Sequence, residues 1–183
     1  MGTITRSFAN LITANGPSSI PGGLGQIEEF DMWRLTADTS VASGAVRFGI
    51  TSNWERADTY SFNLTGTGMT ESSGVFSFPS TGKYYVEFNA MGYIGSSTVR
   101  AFNVDLIYTA DNSNYSTVCN QEFNLYNSGS NTHGSAIARY AFNITDLANQ
   151  KLKFGVWGQQ GESATVQGST STNITFVTFI KFR

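Results

Sequence analysis

Apolar residues recur at every second position from Phe30 to the end of the chain, and this period constrains the fold more than any other feature. Successive side chains of a β-strand point to opposite faces, so such alternation marks strands with one buried face. Clusters rich in Gly, Ser and Asn separate the runs, and they predict turns. The pattern favours roughly eight to ten antiparallel strands in a sandwich or barrel. The alternating runs begin at Trp33, Val46, Tyr60, Tyr84, Phe102, Ala136, Leu152 and Ile174.

The composition agrees with an all-β domain. The chain has 183 residues, which suits one domain that can build its own core. Fourteen residues are Phe and 19 are Gly, while charged residues make up only 13%. Aromatic residues suit pleated, half-buried surfaces and Gly suits tight turns, so the composition favours strands over helices.

Residues 1–29 differ from the rest and predict an arm ahead of a head domain of residues 30–183. The segment "NGPSSIPGGLG" contains two of the three prolines and reads as a linker. Ahead of it, apolar residues at helical spacing predict a short amphipathic helix, too short to be stable alone. We expect this arm to order against a partner, with a frayed terminus as the alternative. The predicted anchoring residues are Ile4, Arg6, Phe8, Leu11 and Ile12.

Several classes of protein are disfavoured. The net charge is −2 and no basic cluster is present, which argues against nucleic-acid binding. No apolar run has the length of a membrane span, and "MGTITRSFAN" lacks the apolar core of a signal peptide. A single cysteine, Cys119, cannot form an internal disulfide. We therefore expect synthesis in a reducing cytoplasm and no membrane partner.

No pattern predicts catalysis, a metal site or a cofactor. His133 is the only histidine and lies in a predicted polar loop, while Cys119 has no basic neighbour and reads as a buried small residue. No carboxylate pair is singled out by its spacing, although a pair that meets in space stays an alternative. The segment "ADNSNYS" predicts a turn, with a weak cation site as the alternative. The segment "NWERAD" predicts a loop made rigid by an Arg56–carboxylate pair beside Trp54, with a ligand site as the alternative.

The stretch "SGVFSFPSTGKYYVEFNA" predicts a strand end at Pro79, a turn, and a long strand about 40 Å in length. It resembles the central signature of the globular heads of complement C-one-q and their relatives. "FNITDLANQKLKFGVW" and "TNITFVTFIKF" resemble later strands of that family, so that the similarity covers residues 31–183. The family's Gly-Asp before the late strand is replaced by Asn149-Gln150. The resemblance implies a ten-stranded antiparallel jelly roll that forms a threefold trimer, as in the tumour-necrosis-factor superfamily.

Several strands carry apolar residues on both faces, and a sandwich buries only one face of each strand. The surplus face predicts a partner, with cover by loops as the alternative. The predicted trimer-interface residues are Tyr85, Tyr93, Ile107, Trp157, Val177 and Phe179.

The whole chain also resembles small structural proteins of marine cyanophage-like viruses. The similarity is found in four segments: "MGTITRSFAN", "WRLTADTS", "NWERADT" and "GTGMTESSGVFSFPSTGKYYV". The resemblance implies a virion protein that serves as a capsid decoration, a fibre or a spike. Its implied partners are capsid or tail proteins. The alternative is a module at a fibre tip that binds host-surface polysaccharide, and a hydrolase is the third and least favoured hypothesis. The candidate glycan-contact residues are Tyr115, Tyr126, Gln159 and Gln160.

Overall fold

The computed structural model describes residues 27–41, 48–94, 101–124, 131–158 and 164–183, and these residues form two antiparallel sheets without a helix. The expectation of an all-β antiparallel sandwich is confirmed. The strands of these ranges are β1 (Ile27–Leu35), β2 (Thr39–Val41), β3 (Phe48–Gly49), β4 (Trp54–Arg56), β5 (Thr70–Ser72), β6 (Val75–Ser77), β7 (Gly82–Ile94), β8 (Ala101–Thr109), β9 (Tyr115–Asn124), β10 (Thr132–Ile144), β11 (Lys151–Gly158), β12 (Ala164–Val166) and β13 (Phe176–Phe182).

The long strand β7 organises the first sheet. One edge of β7 pairs with β10 along its full length, and the other edge pairs with β13 and then with β12. Strand β1 continues the sheet between β13 and β4, and β2 closes the other end beside β12. The second sheet has the order β5-β6-β11-β8-β9, and β3 pairs with β11. We call these the seven-stranded sheet and the six-stranded sheet.

The core fills the space between the two sheets. Alternate residues of β7 point inward, as their period of two predicts, and they meet inward residues of β8, β11 and β13. An aromatic cluster lies at the centre, where ring centroids of Phe76 and Phe154 are 5.0 Å apart and those of Phe88 and Phe154 are also 5.0 Å apart. Trp54 packs edge-on against Phe76, and its indole Nε1 donates to the Ile50 carbonyl.

The Pro79 corner carries the chain from one sheet to the other. Strand β6 belongs to the six-stranded sheet and β7 to the seven-stranded sheet, so this corner is a crossover and not a hairpin. The Tyr84 hydroxyl donates to the Ser80 carbonyl at 3.0 Å and thereby ties the turn to the buried start of β7. Burial of Tyr84 raises the pKa of its phenol above the ordinary value.

A strand predicted at Tyr60–Leu64 is absent, and a loop takes its place. Tyr60 and Ser61 have φ values of 55° and 62°, which interrupt an extended backbone. This loop supplies partners for Arg34, whose guanidinium is 1% exposed and donates to Thr59 Oγ1 at 2.8 Å. Arg34 also pairs with Glu55 and Asp58. The loop therefore covers a buried charge on β1.

The carboxylates of β1 hold a second loop. Asp31 is fully buried and accepts from Arg56 Nε at 2.9 Å, from Trp33 Nε1 at 2.9 Å and from the Met69 amide at 2.7 Å. Arg56 also lies 4.8 Å from the centroid of the Trp33 ring. The predicted Arg56–carboxylate pair therefore forms, but its partners are Asp31 and Trp33, and not the neighbouring Glu55, Asp58 and Trp54.

Candidate functional site

The outward surface of the seven-stranded sheet carries a group of partly exposed apolar and aromatic side chains among polar ones. Tyr85, Met91 and Tyr93 of β7 lie on it and are partly exposed, and Phe182 at the end of β13 is 47% exposed. The strand pairing places other partly exposed apolar residues on the same face, namely Phe30, Met32, Ile137, Phe176 and Ile180. Contiguous apolar surface of this kind marks sites of interaction with another molecule.

Strand register places these side chains side by side. Tyr85 lies between Ala141 of β10 and Ile180 of β13. Eight residues further along β7, Tyr93 is opposite His133, and their ring centroids are 5.2 Å apart. His133 therefore lies in a strand, not in the predicted loop.

One ion pair crosses this face between the two aromatic groups. Arg139 of β10 donates to Glu87 at 2.8 Å, and the Tyr85 hydroxyl donates to the same carboxylate oxygen at 3.4 Å. The charges of Arg139 and Glu87 neutralise each other, so this pair adds no net charge to the centre of the face and would not repel another molecule that binds there.

A second apolar feature lies where the sandwich is open, between edge strands β9 and β10. Tyr140 points toward the interior side of β10 but stays 43% exposed, because no strand covers it. Its ring centroid is 4.8 Å from that of Phe142, and Phe142 is 5.5 Å from Tyr108. Together with Val118, Ala141 and Asn143 these residues line a cleft of about 360 Å³, which we call the edge cleft.

The six predicted interface residues separate into three groups. Tyr85 and Tyr93 share the outward face of the seven-stranded sheet, as expected. Ile107 and Trp157 lie on the outward face of the other sheet, on the opposite side of the molecule. The prediction is wrong for Val177 and Phe179, which are fully buried in the core of the chain. Both faces of β13 are apolar, and the one predicted to point inward, with Phe176 and Phe182, points outward.

The candidate glycan contacts are only partly within the described structure. Tyr115 begins β9 and lies on the outward face of the six-stranded sheet. Tyr126, Gln159 and Gln160 lie outside the described residues, as do the predicted anchoring residues of the arm. Strand β1 begins at Ile27, three residues ahead of the predicted head boundary.

The segment "ADNSNYS" forms the predicted turn. The Asp111 carboxylate accepts from the amides of Ser113 at 2.9 Å and Asn114 at 2.7 Å. Hydrogen bonds from Asn114, and then from Ser113 and Thr109, hold the pKa of Asp111 far below its ordinary value. The Asp111 carboxylate therefore stabilises the turn through hydrogen bonds to its backbone amides.

Groups that could carry metal or nucleophilic chemistry are dispersed across the described ranges. Among these residues no three His, Cys, Asp or Glu side chains come together as a metal site would require. Cys119 is half-buried against the core. None of the described residues forms a helix long and apolar enough to span a bilayer.

Comparison with solved structures identifies the class of fold. The chain superposes on Eiger TNF from S. frugiperda with a TM-score of 0.58 at 16% identity, covering 86% of this chain and 94% of that one. Murine APRIL at pH 5.0 gives a TM-score of 0.57 at 11% identity, covering 85% and 99%. No protein-family model and no curated protein matches the sequence. The domain has the tumour-necrosis-factor-like jelly-roll fold, which confirms the fold expected from the resemblance to the complement C-one-q heads.

Proposed function

We propose that this chain is a structural subunit of a bacteriophage particle, a trimeric jelly-roll head that its N-terminal arm attaches to the virion. The observation that carries the proposal is the apolar outward face of the seven-stranded sheet, which one copy of the chain leaves uncovered. Exposure of apolar side chains to water is unfavourable, so we infer that a partner covers this face. In this proposal the partner is a second copy of the chain, as in most soluble oligomers.

Two different surfaces support a ring of copies. The outward face that carries Tyr85 and Phe182 is broad, whereas the edge cleft beside Tyr140 is a concave aromatic site on another side of the molecule. Contact between unlike surfaces is heterologous, and repeated contacts of that kind close into a ring when the rotation between neighbouring copies adds up to a full turn. The resemblance to the tumour-necrosis-factor superfamily implies that three copies close the ring.

The arm and its linker support attachment to a particle. The predicted anchors Ile4, Phe8, Leu11 and Ile12 are apolar, Arg6 adds a charge, and the Gly/Pro linker that follows leads directly into β1. In this proposal the protein is made in the host cytoplasm, resides in the virion and acts by binding alone, without a cofactor. The similarity of "MGTITRSFAN" to cyanophage-type virion proteins supports the same assignment.

The proposal is tested on purified virus particles by quantitative mass spectrometry against the major capsid protein. We expect the chain in a multiple of three copies: hundreds for a capsid decoration, a few tens for a fibre or spike. A variant that lacks residues 2–14 should fold and keep its trimer mass but no longer join the particle. Absence of the intact chain from particles, or full occupancy by the truncated chain, would overturn the virion assignment.

Recognition of host-surface polysaccharide at a fibre tip is the second candidate function. It is favoured by one observation, the placement of Tyr115 beside Lys153 on the outward face of the six-stranded sheet. That face lies opposite the surface assigned to self-association, so both functions are compatible in one trimer.

A further inference from the structure

A cleft of about 350 Å³ opens on the outward face of the six-stranded sheet. Its size falls at the small end of the range for ligand pockets, about 300–1,000 Å³. Four strands or their ends contribute to it, and none belongs to the face assigned to self-association. The cleft is lined by Gly49, Thr51, Ile107, Tyr115, Thr117 and Lys153.

One wall of the cleft is open because Gly49 of β3 has no side chain there. A Cβ atom built on Gly49 would meet no other atom within 4 Å, so the space above this residue is open. Its partner on β11, Gly155, is buried and does not line the cleft. On neighbouring residue pairs, Lys153 is opposite Ile107, and Ile107 is opposite Thr117. Gly49 thus leaves a hollow whose other side is formed by an aligned row of side chains.

The charge of the cleft comes from Lys153. Its ammonium lies 3.7 Å from the centroid of the Tyr115 ring, a cation–π contact that holds the charge in one place. Within the described ranges no carboxylate forms an ion pair with Lys153. By contrast Lys151, two residues earlier on the same strand face, donates to the Leu147 carbonyl at 2.6 Å. Lys153 is therefore a preorganised cation whose hydrogen-bonding capacity is available to a ligand.

We propose that this cleft binds a sugar unit that bears a carboxylate, such as a uronic acid of an acidic polysaccharide. Lys153 pairs with the carboxylate, the hydroxyls of Thr51 and Thr117 exchange hydrogen bonds with sugar hydroxyls, and Ile107 and the Tyr115 ring pack against C–H groups. A neutral sugar leaves the ammonium unmatched, so the cleft discriminates in favour of an acidic one. The inference deepens the polysaccharide-binding candidate by naming a site and a class of ligand.

The test titrates the full chain with an oligogalacturonate and, separately, with the uncharged galactose oligomer of equal length, by isothermal titration calorimetry. Lys153→Met removes the charge and keeps an unbranched side chain, and we expect it to weaken oligogalacturonate binding about tenfold or more, the loss of one charge-assisted hydrogen bond. Gly49→Val fills the hollow at a position with open space and should abolish binding. The matched control Lys151→Met should bind like the unmodified chain.

The inference is overturned if the unmodified chain does not bind the oligogalacturonate, or if it prefers the neutral oligomer. It is also overturned if Lys151→Met weakens binding as much as Lys153→Met, because the effect would then be a general one of surface charge. These binding results are independent of the trimer mass and of the copy number in particles. Failure of this site can therefore be distinguished from failure of the virion assignment.

Discussion

At the scale of single residues, buried carboxylates hold the contact between β1 and the loop that precedes β5. Glu29 is 7% exposed and accepts from the Gly68 amide at 2.9 Å, while Asp31 accepts from the next amide, that of Met69. Buried carboxylates are stable only when their oxygens are satisfied in this way. The sequence signal for this arrangement is a pair of acidic residues at alternate positions, Glu29 and Asp31, in a strand that also contains Phe30, Met32 and Trp33.

Gly66 is the residue in that loop whose replacement should cost most. Its φ is +83°, and a Cβ atom there would overlap the Glu29 carboxylate and lie 2.5 Å from the Glu28 carbonyl oxygen. We expect Gly66→Ala to lower the free energy of unfolding by roughly 2 kcal/mol or more, from left-handed backbone and overpacking together. Urea denaturation of the two proteins measures the difference.

Gly49→Ala is the matched control for this substitution. Gly49 lies in a strand, and open space surrounds the added methyl group, so the change should stay within about 0.5 kcal/mol. Equal losses in the two variants would contradict the argument, because only Gly66 has a close neighbour to displace.

At the scale of strands, alternation predicts the long strands that supply the buried core and fails for others. The runs that begin at Tyr84 and Phe102 correspond to β7 and β8. In β7 burial alternates as predicted, whereas in β8 Asn103 and Asp105 of the outward face are buried as well. Strand β9 was not predicted, since it is an edge strand whose residues are nearly all exposed or half-buried and show no apolar period. The Tyr60 run alternates without forming a strand, because Tyr60 and Ser61 have positive φ values that interrupt an extended backbone.

The alternating pattern was also insufficient to predict which residues form the candidate site. It separates the two faces of a strand but does not assign a strand to a sheet, so Ile107 and Trp157 could not be distinguished from Tyr85 and Tyr93. It also could not orient β13, where Phe176 and Phe179 are equally apolar and only packing decides which one enters the core. The Lys153 cleft has no sequence signature, since it depends on strand pairing that places Gly49 of β3, Ile107 of β8, Thr117 of β9 and Lys153 of β11 side by side.

An ion pair at the start of β1 should make that end of the first sheet sensitive to pH. Glu28 pairs with Lys181 of β13 at 2.7 Å. The hydrogen bond from Lys181 lowers the pKa of Glu28 below its ordinary value of 4.5, and the same bond raises the pKa of Lys181 above 10.5. The pair therefore stabilises the fold between these values. Its contribution is lost as pH falls below 4.5 through the folded pKa of Glu28, and as pH rises above 10.5 through that of Lys181.

We expect Glu28→Gln to melt at a lower temperature than the unmodified chain at neutral pH, and the difference to shrink as pH falls below 4.5 and the Glu28 carboxylate is protonated. Both groups are near the surface, so the difference should be small and should also shrink with added salt. Thermal unfolding followed by circular dichroism at a series of pH values measures it. A difference that stays unchanged down to the lowest pH at which the chain folds would show that the substitution acts through packing and not through charge.

At the scale of the whole molecule, the two outward faces of the sandwich have different predicted roles, and matched substitutions separate them. Tyr85→Asp places a charge on the face assigned to self-association, whereas Tyr115→Asp makes the same change on the other sheet. A charge buried in an interface is strongly unfavourable, so only Tyr85→Asp should dissociate the proposed trimer.

Light scattering coupled to size exclusion gives the molar mass in each case. We expect the unmodified chain and Tyr115→Asp at three times the chain mass of 19.9 kDa, and Tyr85→Asp at the mass of a single chain. Circular dichroism checks that both variants fold. An unmodified chain that elutes as a monomer, or a folded Tyr85→Asp that keeps the trimer mass, would contradict the assignment of this face.

The position of β1 within its sheet has a mechanical consequence. The strand is hydrogen-bonded to β13 from Ile27 to Arg34, and β4 pairs with its last three residues. A pull on Ile27 along the strand axis loads the hydrogen bonds to β13 in shear, because they run across the direction of force. Bonds loaded in shear must yield together, whereas bonds that are peeled break one after another. If the head is tethered through residues ahead of β1, as we propose, a pull along this strand would therefore meet more resistance than a pull that peels a strand from its neighbour.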